Sequence, residues 1–99
     1  MREIYIIHCF LYKNDRTVSS YNVGWYNNFA LAEDVILNNK GDIFEHYYNY
    51  ALIELVKEGH AKCEVLAWYV PNWINDRCLS ATRIPTPEVF KNIINFSMG

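Results

Sequence analysis

A chain of 99 residues holds one domain, long enough to bury roughly 60 to 70% of the surface its unfolded form exposes without a metal or disulfide staple. Its 52% hydrophobic and 16% aromatic content, against 20% charged, excludes a disordered chain, which cannot offset ordering entropy by burial. The net charge of −2 is spread without runs, and Arg2, Lys13, Arg16, Lys40, Lys57, Lys62, Arg77, Arg83 and Lys91 form no basic stripe, so binding driven by nucleic-acid phosphates is disfavoured.

Three cysteines, Cys9, Cys63 and Cys78, make an odd count with no CxxC pair, a usage that fits reduced thiols and predicts a cytoplasmic protein. The apolar run Ile4 to Leu11 is too short to span a bilayer and is interrupted by His8, so it is expected to be a strand and no membrane association is expected.

Residues 3 to 12 place Ile4, Ile6, His8, Phe10 and Tyr12 on one face and Tyr5, Ile7, Cys9 and Leu11 on the other. Both faces are largely apolar, as in a strand covered on two sides. Lys13 to Arg16 reads as a turn, and residues 17 to 26 alternate with Tyr21, Val23 and Trp25 expected on the buried side, completing an antiparallel hairpin.

Asn27 and Asn28 offer side-chain acceptors to a helix start, and Phe29, Ala32, Val35 and Ile36 recur at helical spacing. Gly41 stands where a left-handed residue would end that helix, so residues 28 to 39 are predicted to form the main helix and to cover one sheet face.

Two structures compete for the next segment. Asp42 with Glu45 resembles a capping box and Gly59 a helix C-cap, which would suit a helix over 43 to 58. Tyr47, Tyr48, Tyr50, Ile53 and Val56 are aromatic or β-branched and favour a pleated sheet, and strand is the expectation. Tyr47, Asn49, Ala51, Ile53 and Leu55 then share one face, and Tyr48, Tyr50, Leu52, Glu54 and Val56 the other.

A turn over Glu58 to Ala61 leads into a strand from Lys62 to Val70 that Pro71 is expected to stop. Asn72 to Arg77 reads as a loop carrying Trp73, Cys78 to Ile84 as a short fifth strand, and Thr86-Pro87-Glu88 as the start of a short helix through Ile93. Phe96 is expected to dock the tail. The fold class predicted is therefore α+β, an antiparallel sheet of four or five strands in the order β-β-α-β-β-β-α, with the surplus aromatics on the face away from the helix.

Two stretches, Tyr48 to Gly59 (YNYALIELVKEG) and Pro87 to Phe96 (PEVFKNIINF), resemble small bacterial and phage proteins in which two strands, a helix and further strands follow in this order. The resemblance implies the strand assignment and carries over no activity and no site residue.

His8 and Cys9 are adjacent metal-ligand types, but successive strand residues point to opposite faces. His46, His60, Cys63 and Cys78 lack the spacing of a metal site, so no metal or other cofactor is expected. Cys78, near Asp76 and Arg77 with His60 as a conceivable base, is more simply a buried small hydrophobe than a nucleophile. Glu54 lies among apolar neighbours and needs a partner for its carboxyl.

With eight Tyr, three Trp and five Phe, some rings should reach the surface. Tyr48, Tyr50, Trp68, Tyr69 and Trp73 beside Arg77 have the composition of a protein-binding hot spot. The function these features predict is a non-catalytic protein-binding module, of the kind that an immunity-type or phage-encoded inhibitor uses to occlude its target, with self-association through an edge strand as a further use. The competing expectation is a small-ligand pocket or small enzyme, with Tyr48, Tyr50 and Trp68 lining a cavity around Glu54 or His8.

Overall fold

The computed structural model describes residues 3–41, 43–44, 48–57 and 63–90. The chain forms one antiparallel sheet of five strands and one main helix, the α+β arrangement expected: β1 (Glu3–Lys13), β2 (Arg16–Tyr26), α1 (Phe29–Leu37), β3 (Tyr50–Lys57), β4 (Cys63–Ile74) and β5 (Arg77–Ile84), followed by a single 3₁₀ turn over Glu88–Phe90. The strand order is β2-β1-β3-β4-β5, so β3 is central and α1 carries the chain from β2 back across β1.

The β1–β2 and β4–β5 hairpins close on the same tripeptide. Asn14-Asp15-Arg16 and Asn75-Asp76-Arg77 each place two Asx residues at positive φ (55° and 62°, 50° and 64°), the mark of a type I′ turn, whose twist matches that of the strands it joins. Asx side chains tolerate this left-handed region better than other residues with a Cβ.

Asn28 caps α1 through its side-chain oxygen, which accepts from Leu31 N at 3.1 Å. The helix unwinds through Asn39 (φ 45°) and Gly41 (φ 74°), while Lys40 N donates to Val35 O at 2.9 Å to satisfy a terminal carbonyl. Ala32 and Ile36 point into a core made of Ile7, Cys9, Ala51, Ile53, Ala67, Tyr69, Cys78 and Ala81 from the sheet, closed by Ile43, Phe44 and Tyr48. Small side chains on β1, β3, β4 and β5 let the helix lie close to the strands.

The opposite face is closed by rings. Phe10, Leu52, Trp68 and Phe90 form its buried centre, with Tyr12, Tyr50, Val65 and Ile84 packed around them. Phe90 lies parallel to Trp68 (centroids 4.8 Å apart, planes 4° apart) and meets Phe10, Tyr12 and Tyr50 edge-on at 5.6, 4.8 and 5.2 Å. The aromatics are not gathered on this face as expected: those here are packed, and Phe44, Tyr48 and Tyr69 lie in the helix-side core with Tyr5, Tyr26 and Phe29 against them.

Four details differ from expectation. On β2, the ladder to β1 slips between Ile7 and His8, leaving Val23 as an extra residue. A bulge reverses side-chain parity. Tyr26 therefore takes the helix side, while Trp25 faces away opposite Ile6 and is 65% exposed; Tyr21 is also exposed, and Val23 alone of the predicted trio is half-buried.

Strand β3 starts at Tyr50, so Tyr48 is free of its alternation and packs in the helix-side core, not beside Tyr50. Pro71 does not end β4, which runs to Ile74 with Pro71 opposite Ala81. The pairing of β4 to β3 has already stopped at Tyr69, so a missing N–H is tolerated on a side with no neighbour. The expected loop over Asn72 to Arg77 thus shrinks to the two-residue turn. Of the C-terminal helix, the Glu88–Phe90 turn is 3₁₀; its continuation, the docking of Phe96, the turn over 58–61, and Tyr47, His46 and His60 lie outside the described residues.

Phe90→Ala is expected to destabilise the domain by about 3–5 kcal/mol in urea unfolding, the cost of deleting a fully packed ring, whereas Val89→Ala on the exposed side of the same turn should change stability by less than about 0.5 kcal/mol.

Candidate functional site

Val70 to Ile74 of β4 extend past the last residue paired to β3 and pair with β5 alone, a two-stranded ribbon about 17 Å long at 3.3 Å per residue. Its turn reaches out on the same end of the sheet as the β1–β2 turn. One face is held by the loop after α1, where Asn39 Nδ2 donates to Cys78 O at 2.5 Å. The other carries a polar ladder: Asn72 Nδ2 donates to Ser80 Oγ and Thr82 Oγ1 donates to Asn72 Oδ1, both at 3.1 Å.

The ribbon exposes large apolar groups. Trp73 is 39%, Ile74 67% and Leu79 65% exposed, and Arg77 beside them is exposed too. Leu79 is pushed outward by a slip in the β4–β5 ladder between Asn72 and Trp73, which leaves it without an opposite residue.

Of the six residues predicted to form a contact surface, only Trp73 and Arg77 are exposed, and the register sets them on opposite faces of the ribbon, Trp73 across from Cys78 and Arg77 across from Ile74. Tyr48 (5%), Trp68 (5%) and Tyr69 (0%) are interior, and Tyr50 is half-buried against Phe10 and Phe90. Nor do Tyr48, Tyr50 and Trp68 line one pocket: Tyr48 belongs to the helix side of the sheet, the other two to the opposite side, where Phe90 fills the space between rings.

Tyr69 has a structural task. Its hydroxyl donates to Glu33 Oε2 at 2.7 Å, and Arg83 Nη1 donates to the same oxygen at 3.3 Å while its guanidinium lies 5.6 Å from the centre of the Phe29 ring. Burial, and then the carboxylate of Glu33, push the phenol well above the usual tyrosine range, so it stays protonated and pins α1 to β4.

Glu54 finds the partner its apolar surroundings demand in His8, from the adjacent strand: Nε2 and Oε1 are 3.2 Å apart, with both side chains 2% exposed. The two sit diagonally on the face of β1 and β3 away from α1, with His8 opposite Leu52 and Glu54 opposite Ile6. Among the described residues, His8 Nδ1 and Glu54 Oε2 have no hydrogen-bond partner. A histidine–carboxylate pair can shuttle protons, but this one touches no solvent through which a substrate could reach it. Its consequence is specificity of register, since a one-residue slip of β1 against β3 would turn one member away from the other.

Cys9 is fully buried beneath α1, and desolvation pushes its thiol up to about 12. Cys78 is buried as well, its thiol donating to Ser80 O at 3.2 Å, which makes it a packing residue of the ribbon rather than an activated nucleophile. His8 and Cys9 lie on opposite faces, and among the described residues no group of three His, Cys, Asp or Glu could hold a metal ion. No described helix is long and apolar enough to cross a membrane. An open depression of ≈ 440 Å³ lies along Leu66 to Trp68 and Arg83 to Thr86, but Arg83, its one charged group, is already engaged by Glu33.

No known protein family, curated protein or solved structure matches the chain.

Replacing one member of the buried pair, His8→Leu or Glu54→Leu, should cost about 3 kcal/mol or more, whereas the double replacement should return to within about 1 kcal/mol of the original protein or exceed it. A urea double-mutant cycle reads the difference. Alkaline pH should also destabilise the fold. Cys9 and Tyr69 hold their protons more tightly folded than unfolded, so the stability they contribute is fully present below pH 9 and is lost as pH rises toward 12. Each group adds a slope of up to about 1.4 kcal/mol per pH unit, and unfolding at pH 8 and 10.5 should show Cys9→Ala flattening it by one proton.

Proposed function

We propose that the protein is a non-catalytic protein-binding module that inserts the β4–β5 ribbon into a cleft of its target, in the manner of an immunity-type or phage-encoded inhibitor. The observation that carries this reading is the exposure of Trp73 on one face, Ile74 and Arg77 on the other, and Leu79 at a bulge, all toward the end of a projecting ribbon. Tryptophan and arginine dominate binding energy where they are desolvated by a partner, and the ribbon offers both at one tip.

Rigidity strengthens the reading. The tip is set by a turn whose two central residues are at positive φ, and the Asn72–Ser80–Thr82 ladder holds the strands in register. A pre-ordered wedge gives up little conformational entropy on docking. The small net negative charge suits a basic target surface around the cleft, with Arg77 reserved for an acidic group inside it.

A photocrosslinking amino acid placed at Ile74 in cells that produce the protein should trap a defined partner that the same group at Ser20, on the far edge strand, does not trap. Trp73→Ala and Arg77→Ala should each weaken the purified complex by about 30-fold, the loss of about 2 kcal/mol expected of a hot spot, while leaving thermal unfolding nearly unchanged. A partner trapped from Ser20 and not from Ile74, or affinity indifferent to both alanines, would refute the reading.

A further inference from the structure

The geometry points to a second interaction surface, independent of the ribbon: two copies of this chain pair through β2, antiparallel about a twofold axis at Ser20 or Tyr21, to make one continuous sheet. Strand β2 is an edge of the sheet, eleven residues long, and every residue from Arg16 to Asn22 is exposed.

A strand edge presents unpaired N–H and C=O groups to any neighbour, and proteins ordinarily guard it with charge, proline, brevity, bulges or a covering element. From Thr17 to Tyr26 the strand has no charged residue and no proline, and its two bulges leave Ser19 to Asn22 regular between them. The other edge is different: β5 has eight residues and exposes Arg77 and Arg83 at its two ends. Beyond backbone groups, β2 exposes Val18, Tyr21 and Trp25, all among the large apolar side chains left uncovered by the fold.

The two slips in the β1–β2 ladder fix where pairing can be regular. They make Val18 and Val23 the extra residues, and Ser19 to Asn22 between them is the uninterrupted stretch. A twofold axis perpendicular to the sheet keeps each face on its own side, so a residue must oppose one of the same parity and the axis must pass through a residue. Centred on Ser20, the pairing sets Ser19 against Tyr21 and Val18 against Asn22. Centred on Tyr21, it sets Ser20 against Asn22 and Arg16 against the ring of Tyr26. No like charges meet in either, because Arg16 is the only charged residue of the strand.

The same composition selects the occupant. An edge with a single charge at one end has no charge pattern by which to choose a foreign strand. Its own uncharged Ser, Thr, Val and Tyr residues supply a matching strand, and an isologous interface is the commonest way for like chains to associate.

Light scattering on the full chain from about 1 μM to about 1 mM should show the mass rise from 11.7 kDa to twice that value. Ser20→Lys and Tyr21→Lys set two lysines at or beside the axis and should each weaken the dimer by about tenfold or more, with circular dichroism and melting temperature unchanged. If a lysine perturbs folding, cysteine replaces it: under mild oxidation Ser20→Cys or Tyr21→Cys should give a disulfide-linked dimer well ahead of Thr82→Cys on the opposite edge. A monomer at every concentration, or a dimer indifferent to both lysines, or crosslinking no faster from β2 than from β5, overturns the proposal. None of these outcomes touches the partner trapped from Ile74.

Discussion

A sheet that is apolar on both faces must be covered on both, and the described residues include one helix of any length, α1, which lies on one face. The face away from α1 is closed instead by the ring of Phe90, which stacks on Trp68 of β4 and meets Phe10 and Tyr12 of β1 and Tyr50 of β3 edge-on. One side chain thereby ties together three strands. Each such aromatic pair contributes roughly 0.5–1.5 kcal/mol beyond area burial, so the cluster is worth more than any polar contact on the surface. The turn that delivers the ring follows Pro85 and Pro87 and is closed by a backbone bond, Phe90 N to Pro87 O at 2.9 Å.

That packing explains why the aromatic surface lies elsewhere than composition suggests. Tyr48, just before β3, and Trp68 and Tyr69 of β4 are drawn inward to cover the two faces. Apart from Leu31 on α1 and Val89 in the last turn, the large apolar groups left exposed lie on edge strand β2 and on the ribbon beyond β3. Bulges decide which residues these are. The slip at Val23 sends Trp25 outward and Tyr26 inward, and the slip beside Trp73 pushes Leu79 out.

Much of the architecture was legible in the residues. Periodicity and β-branching located β1, β2, β3 and β5, and Asn28 with Gly41 located α1, because these signals are local. Glu54 was legible as a buried carboxylate in need of a partner, yet His8 could not be named as that partner until the β1–β3 register was known. The faces of Trp25 and Tyr48 were not legible, since a bulge or a late strand start leaves no mark in an alternating pattern. Pro71 misled for a related reason: whether proline breaks a strand depends on whether a neighbour needs its N–H, and that neighbour, β3, ends elsewhere in the chain. Of the residues predicted for a contact surface, Trp73 and Arg77 are exposed, while the exposed Ile74 and Leu79 carried no sequence signal beyond hydrophobicity.

The unequal guarding of the two edges limits how large an assembly can become. A sheet open at both ends would accept a neighbour on each side and grow without limit, as fibrils do. Here β5 carries exposed arginines at each end, while Asn49 completes β1 above Phe10 with its own amide, accepting from Tyr12 N and donating to Tyr12 O at 2.8 Å each. In the proposed pairing β2 is used up by its first neighbour, so growth would end at two.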